Sequence, residues 1–232
     1  MLSTSFSLFL TSFVGVNVCL LIGTVLSKLN IITSYTSRKI VHISLGTCQL
    51  ALWGLYPDEM SARVWGTMCC LIYVVVFLVF GLGLFQGKIC DFLVATVCRN
   101  GDYKEMLYGP LNYCVTVSLL SLVFWRNYPP SVIGCGLLLW GDGMAGIIGK
   151  MIGRTEVMNP WGKKKTIEGA IAVMVCGAVG SMVMCKMIFG EYYTLYCLIF
   201  GFVGALVEFY SYPNYDNVFI PLSSVAMGYF LF

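Results

Sequence analysis

Long apolar segments recur along the whole chain and restrict what it can fold into. Of its 232 residues, 59% are hydrophobic and only 11% are charged, whereas a soluble domain carries about 25% charged residues. A membrane-spanning helix needs about 20 mostly apolar residues. Segments of about this length lie at 6–27, 40–57, 64–85, 107–125, 130–151, 167–189, 192–210 and 217–232. The sequence therefore predicts an all-α, polytopic integral membrane helical bundle with about eight transmembrane helices.

The amino-terminal apolar run has no basic residues before it and no clear small-residue cleavage motif. We therefore expect a retained first transmembrane helix rather than a cleaved signal peptide, and no transit peptide. We divide the chain into 1–37, the first transmembrane helix with a cytoplasmic loop, and 38–232, the membrane domain that carries the chemistry. Most of the 11 cysteines lie in or near apolar runs and none forms a C-x-x-C pair, so we predict neither a disulfide nor a zinc site.

The basic residues are distributed unevenly between the two sides of the predicted bundle. Eleven of the 14 lysines and arginines fall in the first, third and fifth connections, and the other three, Arg63, Arg126 and Lys186, fall in the second, fourth and sixth. Because the side richer in Lys and Arg is the cytoplasmic one, the polar segments around Arg38, Asp142, Lys163–Lys165 and Asp216 are all predicted at the cytoplasmic face. The net charge of +3 is too small to indicate a nucleic-acid partner.

Asp142 lies between two glycines near the cytoplasmic end of the fifth predicted span. Ionisable residues in membrane segments are costly and usually functional. The simpler interpretation is that Asp142 only caps a helix or pairs within the bundle; in the functional one it holds Mg²⁺ or acts as a general base for a substrate hydroxyl. Small residues at helical spacing surround it and predict close approach of a neighbouring helix: Gly134, Gly141, Ala145, Gly149 and Gly153.

Three lysines, Lys163–Lys165, follow the turn-rich segment Asn159-Pro160-Trp161-Gly162 and precede the sixth span. They could be no more than a basic anchor on the cytoplasmic side. Thr166, however, is placed to cap the next helix, and Glu168 suits its first turn. Backbone amides at a helix N-terminus beside three lysines form a phosphate site, so this segment predicts binding of a polyphosphate.

Further polar residues are predicted at the same face. Arg38, Lys39 and His42 share one face of the second span, where the single histidine could be a hydrogen-bonded bundle residue or could orient a phosphate. Glu208, near the end of the seventh span, requires a partner, which we expect to be a basic residue of the second span or a metal. Asp216-Asn217 could be an ordinary helix cap or part of the site.

Four blocks in order resemble the polyprenol kinase family, whose members are CTP-dependent lipid kinases, and are also similar to membrane CDP-diacylglycerol synthases. The blocks are Arg38-Lys39-x-x-His42, Gly141-Asp142-Gly143-Met144-Ala145, Pro160-Trp161 through Lys163-Lys164-Lys165-x-x-Glu168-Gly169, and Asp216-Asn217-x-x-x-Pro221-Leu222. The run Tyr108–Tyr113 and Glu208 look most like the phytol and farnesol kinase branch. One departure is Gly146, where phytol kinases usually carry an aspartate.

The resemblance implies a membrane kinase that transfers phosphate from CTP to the hydroxyl of an isoprenoid alcohol such as phytol or farnesol, with Mg²⁺ as cofactor. We assign catalysis to Asp142, Glu168 and Lys165, and the metal to Asp142 and Asp216. The nucleotide is assigned to Arg38, Lys39, His42, Gly141, Gly143, Lys163, Lys164 and Asn217. We expect the endoplasmic reticulum membrane, with the active site facing the cytoplasm.

Two alternatives stay open on the sequence. The lipid substrate could be diacylglycerol or a dolichol instead of a shorter isoprenoid alcohol. The protein could also be a transporter, with Asp142, Glu208 and Asp216 as sites for a coupling ion, although no internal repeat of the kind common in transporters is evident.

Overall fold

The structure is a computed structural model that describes residues 2–232, with side chains from residue 4 onward. The chain forms two compact units, which meet in sequence between Val123 and Phe124. The helices of the first unit are α1 Leu2–Lys28, α2 Ser34–Leu50, α3 Met60–Gly81, α4 Lys88–Val97 and α5 Gly109–Val123, with 3₁₀ turns at Trp53–Leu55 and Tyr103–Leu107.

The first unit is held together by contacts of α1 with α2 and α3, and of α3 with α5. Where α1 meets α2, the Ser37 hydroxyl donates to the Gly23 carbonyl at 2.6 Å. Between α2 and α3, the amide nitrogen of Gln49 donates to the Gly66 carbonyl at 3.1 Å. Polar side chains thus bond to backbone carbonyls of neighbouring helices, as expected where little water is available.

The second unit contains α6 Pro129–Gly136, a π-helical segment Leu137–Asp142, α7 Gly143–Ile152, α8 Ile167–Phe189, α9 Thr194–Tyr210 and α10 Asp216–Leu231. The first three of these elements follow one another without a break and form one apolar helical span. Two short strands, β1 Glu156–Met158 and β2 Lys164–Thr166, pair antiparallel between α7 and α8. We call residues 156–166 the hairpin.

Close backbone approach explains the small residues predicted to line the fifth span. A Cβ at Gly141 would lie 3.1 Å from the Val173 carbonyl of α8, and one at Gly134 would lie 2.9 Å from the Cα of Pro221 in α10. Glycine removes the side chain that would hold these helices apart. The prediction of a small-residue packing face is therefore confirmed.

The helical membrane architecture agrees with the sequence, but the number of spans is not confirmed. Within the described residues, five helical segments are long and apolar enough to cross a membrane by length and composition: Thr4–Lys28, Met60–Gly81, Tyr103–Val123, Pro129–Ile152 and Ile167–Phe189. The predicted spans 40–57, 192–210 and 217–232 coincide with the shorter helices α2, α9 and α10, of 17, 17 and 16 residues.

The chain is mostly helical, as predicted, but the sequence did not predict one short hairpin that matters for the site: the Lys163–Lys165 segment lies largely in a strand. Gly162 adopts a positive φ of 70° in the turn between β1 and β2, a conformation that glycine adopts without steric cost. Lys164 and Lys165 then pair with Met158 and Val157 across the ladder.

Candidate active site

Three carboxylates of the second unit meet near the end of α9 and the start of α10. One oxygen each of Asp142, Glu208 and Asp216 lies within 4.8 Å of the other two. Asp142 ends the π-helical segment, Glu208 lies in the last turn of α9, and Asp216 begins α10. Asp142 is only 6% exposed and Glu208 is also buried. We call these three residues the acidic triad.

The π-helical segment determines where Asp142 is located. Single π-helical turns within α-helices are rare and occur often at functional sites. Here the widened turn lies against α8, where Gly141 and Gly177 approach so closely that a Cβ at Gly177 would lie 3.2 Å from the Gly141 Cα. Packing of α8 therefore supports the backbone immediately before Asp142.

The donor set of the acidic triad suits a hard divalent cation. Carboxylate oxygens are the ligands that Mg²⁺ prefers, at about 2.1 Å, so two of its ligands lie at most about 4.2 Å apart. The 4.8 Å limit of the triad requires only a small closure to reach that spacing. Three carboxylates this close also repel one another in a low-dielectric setting unless positive charge is present. The predicted metal ligands Asp142 and Asp216 are thus brought together, and Glu208 joins them.

Lys165 supplies one positive charge at the acidic triad. Its ammonium group lies 2.6 Å from the Glu208 carboxylate and also donates to the Glu208 backbone carbonyl. The expectation that Glu208 would pair with a basic residue of the second span is corrected here, because its cation comes from β2. Lys165, which the sequence analysis assigned to catalysis, therefore lies beside the acidic triad.

Two further side chains of the hairpin bond to the end of α9. The Asn159 amide donates to the Phe209 carbonyl at 3.3 Å, and the Trp161 indole N–H donates to the Tyr210 carbonyl at 2.8 Å. Together with the bond from Lys165 to Glu208, three consecutive carbonyls at the helix C-terminus gain donors. The last carbonyls of a helix have no partner within it, so the hairpin caps α9 and fixes Lys165 against the triad.

The other lysines of the run face elsewhere. Lys164 forms an exposed ion pair with Glu156 at 2.7 Å, and this hydrogen-bonded carboxylate raises the pKa of the lysine above its ordinary value. Lys163 is exposed, and its backbone N–H donates to the Asn159 side chain at 2.9 Å. The structure therefore separates one half-buried lysine at the triad from two on the hairpin surface.

The start of α8 has the predicted Thr166 cap, but the described contacts of Glu168 are with the Thr155 backbone and not with the acidic triad. The Thr166 hydroxyl accepts from the Gly169 N–H at 3.1 Å, which confirms the cap. The Glu168 carboxylate accepts from the Thr155 N–H, at 3.3 and 3.4 Å to its two oxygens. Glu168 thus holds the backbone that precedes β1, and its catalytic role stays a prediction.

The remaining predicted nucleotide ligands lie in both units. In α2, Arg38 lies over the Tyr35 ring at 5.3 Å, and the His42 and Tyr113 rings are 4.7 Å apart. In the second unit, Asn217 is buried in the first turn of α10, where its N–H donates to Asp216 at 3.0 Å. Gly141 and Gly143 flank Asp142 on the helical backbone.

Fold and site together define a helical membrane protein with a largely buried, lysine-paired acidic site within one unit. The chain is 33% identical over 217 residues to probable phytol kinase 1, chloroplastic, of Glycine max, a match of 89% of this chain and 70% of that protein. It is 30% identical over 216 residues to probable phytol kinase 2, chloroplastic, of Oryza sativa subsp. japonica, covering 89% and 69%. Farnesol kinase, chloroplastic, of Arabidopsis thaliana is 28% identical over 206 residues, covering 84% and 65%.

The chain therefore belongs to the phytol and farnesol kinase family. No protein-family model matches it, and no solved structure does either. The names of these relatives place them in the chloroplast and give no support to the predicted endoplasmic reticulum membrane.

Proposed function

We propose that this protein is a membrane kinase that transfers the terminal phosphate of CTP to the hydroxyl of an isoprenoid alcohol such as phytol or farnesol. The observation that carries the proposal is the acidic triad with its paired Lys165, in a chain whose relatives are named as phytol and farnesol kinases. The donor CTP and the cofactor Mg²⁺ come from the family resemblance of the sequence blocks.

In the proposed reaction the alcohol oxygen forms a bond to the γ-phosphorus of CTP. The bond between that phosphorus and the oxygen bridging to the β-phosphate breaks, and CDP leaves. The hydroxyl proton passes to a carboxylate of the acidic triad, which we assign to Asp142 because it is the most deeply buried of the predicted catalytic residues. The products are the alkyl monophosphate and CDP.

Asp142 and Asp216, with Glu208, would hold Mg²⁺, which when bound neutralises phosphate charge and polarises the phosphoryl oxygens. Lys165, fixed by its bonds to Glu208, provides a positive charge that needs no reorganisation when phosphate charge develops. Lys163 and Lys164 extend from the exposed hairpin, where long cationic side chains can reach a nucleotide from solvent. Gly141, Gly143 and Asn217 are the further proposed nucleotide ligands of the second unit, and the assignment of Arg38, Lys39 and His42 in the first unit stays a prediction from the sequence.

The test is transfer of label from γ-³²P-CTP, with Mg²⁺, by the purified protein in micelles to phytol, farnesol, dolichol or diacylglycerol. We expect labelled phytyl or farnesyl phosphate, and a loss of at least about 100-fold in Asp142→Asn, the range typical of a removed acid–base group. Asp58→Asn is the matched control, since Asp58 is exposed in the loop before α3.

Full activity of Asp142→Asn would overturn the site assignment. Transfer only to dolichol or diacylglycerol would change the substrate, and transfer from ATP but not CTP would change the donor. Ion flux in liposomes without transfer to any alcohol would favour the transporter.

From the distribution of Lys and Arg we place the site at the cytoplasmic face. A fluorescent fusion protein in cells distinguishes the endoplasmic reticulum from the chloroplast.

A further inference from the structure

An elongated apolar groove opens beside the acidic triad within the second unit. Its volume is about 890 Å³, within the range of about 300–1,000 Å³ that is usual for small-molecule sites. We call it the aromatic groove, because tyrosine, tryptophan and phenylalanine form much of its lining: Trp161, Val207, Tyr210, Ser211, Tyr212, Tyr215, Phe219, Leu222, Ser223 and Ala226.

Residues that line the aromatic groove are chain neighbours of the acidic triad. Val207 and Tyr215 line it, and each immediately precedes a residue of the triad, Glu208 and Asp216 respectively. The hairpin forms another part of its wall, since the Trp161 ring meets the Tyr212 ring edge-on at 5.1 Å. The same hairpin that positions Lys165 therefore also shapes the mouth of the groove.

The long dimension of the groove follows α10. Phe219, Leu222 and Ala226 recur on one face of this helix, as spacings of three and four residues require, and Tyr215 lines the groove from the N-cap position. Tyr215 and Ala226 are 11 positions apart, which at 1.5 Å per residue corresponds to about 16 Å. An extended apolar slot of this length fits a linear hydrocarbon chain.

We propose that the aromatic groove binds the hydrocarbon chain of the isoprenoid alcohol, with the hydroxyl at the Glu208 and Asp216 end. This inference rests on the proposed function and adds the residues that would select the alcohol by chain length. A cytosine ring would also stack on aromatic side chains, but its recognition needs hydrogen bonds to the base edge as well. The groove offers mostly apolar side chains and continues well beyond the length of one ring, which favours the hydrocarbon chain.

The first experiment fills the groove and measures kinetics. Leu222→Trp places a bulky ring in it, and Leu206→Trp is the matched control, because Leu206 is similarly exposed, 44% against 47%, but lies outside the groove. We expect Leu222→Trp to raise KM for phytol at least about 10-fold, as displaced pocket contacts do, with KM for CTP unchanged. The effect should diminish along the series phytol, farnesol, geraniol and prenol, because shorter chains reach less far from the triad.

A second variant keeps the test independent of the folding of the first. Ala226→Phe fills the far end of the groove and should raise KM for phytol more than KM for geraniol. The proposal is refuted if Leu222→Trp and Leu206→Trp change KM for phytol equally in an active enzyme and Ala226→Phe does not change the chain-length preference. A raised KM for CTP instead would assign the groove to the nucleobase and also overturn the proposal.

A binding measurement separates failure of the groove from failure of the proposed function. A photoactivatable farnesol analogue is crosslinked to the protein in micelles, and the labelled peptides are mapped. We expect labelling within 207–226 that unlabelled farnesol displaces, whether or not phosphate transfer occurs. Displaceable labelling without any transfer would support the groove and refute the kinase activity. Labelling that farnesol does not displace would identify ordinary lipid contact and refute the groove.

Discussion

Replacing Lys165 by methionine removes the positive charge that faces Glu208 while keeping a side chain of similar length. In the structure the Lys165 ammonium group donates both to the Glu208 carboxylate, at 2.6 Å, and to the Glu208 backbone carbonyl. The side chains of the pair are only 22% and 11% exposed. The variant therefore leaves a nearly buried carboxylate, close to Asp142 and Asp216, without this cation.

The expected loss of stability follows from these two bonds. A hydrogen bond to a charged group contributes about 1.5–3 kcal/mol, so two of them set an upper limit of about 3–6 kcal/mol. Partial exposure lets water replace part of that interaction, and we expect about 2–4 kcal/mol. For a chain of this size, 1 kcal/mol corresponds to about 2–4 °C in melting temperature, which gives a decrease of about 4–16 °C.

Thermal unfolding in one detergent, followed by tryptophan fluorescence, measures the effect. Lys164→Met is the matched control, because its ion pair with Glu156 is exposed, with side-chain exposures of 68% and 56%. Exposed pairs contribute little because water screens them, so Lys164→Met should melt close to the unchanged protein and clearly above Lys165→Met. The two variants differ by one position in the chain but by a large factor in burial.

A double variant tests the physical cause. Lys165→Met combined with Glu208→Gln should recover part of the loss, because the second change removes the uncompensated buried charge that makes the single variant costly. The reasoning is refuted if Lys165→Met melts no lower than Lys164→Met. It is also refuted if the melting temperature of the double variant falls by the full sum of the decreases measured for Lys165→Met and Glu208→Gln alone.

Two further predictions concern packing and thiol chemistry. Gly177→Ala should destabilise the protein by about 1–3 kcal/mol, because the new Cβ would lie 2.7 Å from Leu137 and 3.2 Å from the Gly141 Cα. Gly15→Ala is the control, because its Cβ would have ordinary contacts at 3.8 Å. A melting temperature of Gly177→Ala no lower than that of Gly15→Ala would contradict this prediction. Burial, together with the Glu105 and Asp102 carboxylates, raises the pKa of Cys98 to about 12. At pH 8 only about one Cys98 thiol in 10⁴ is then ionised. Maleimide labelling of Cys98, followed by peptide mass spectrometry, should therefore be far slower than labelling of free cysteine until the pH nears about 12. Labelling of Cys98 as fast as free cysteine at pH 8 would show that its pKa is not raised.

Local sequence patterns were sufficient for the long helices, though not for α4, and for part of the site. Apolar runs predicted a helix in each of the eight segments, because membrane helices bond their own backbone and need only length and hydrophobicity. The position of Asp142 in an apolar run, and the glycines around it, correctly predicted a buried carboxylate at a close helix contact. The ordered blocks identified the family.

The hairpin was missed although its signal is present. Asn159-Pro160-Trp161-Gly162 is turn-forming chemistry, and the short segments on either side of it pair as β1 and β2. A reading of this segment as a strand would have placed Lys164 and Lys165 on opposite faces, because side chains alternate along a strand. The spacing of three consecutive lysines alone gave no reason to choose one of them for the triad.

The sequence by itself determined a helical membrane protein of the phytol and farnesol kinase family, with acidic residues near helix ends. Only the tertiary structure decided that Asp142, Glu208 and Asp216 meet, that Lys165 rather than its neighbours pairs with Glu208, and that side chains of α9, α10 and the hairpin form an aromatic groove. The physical reason is that hydrophobicity and helix periodicity act over neighbouring residues. Contacts between residues far apart in the chain, such as Asp142 with Asp216 or Lys165 with Glu208, depend instead on which elements pack together.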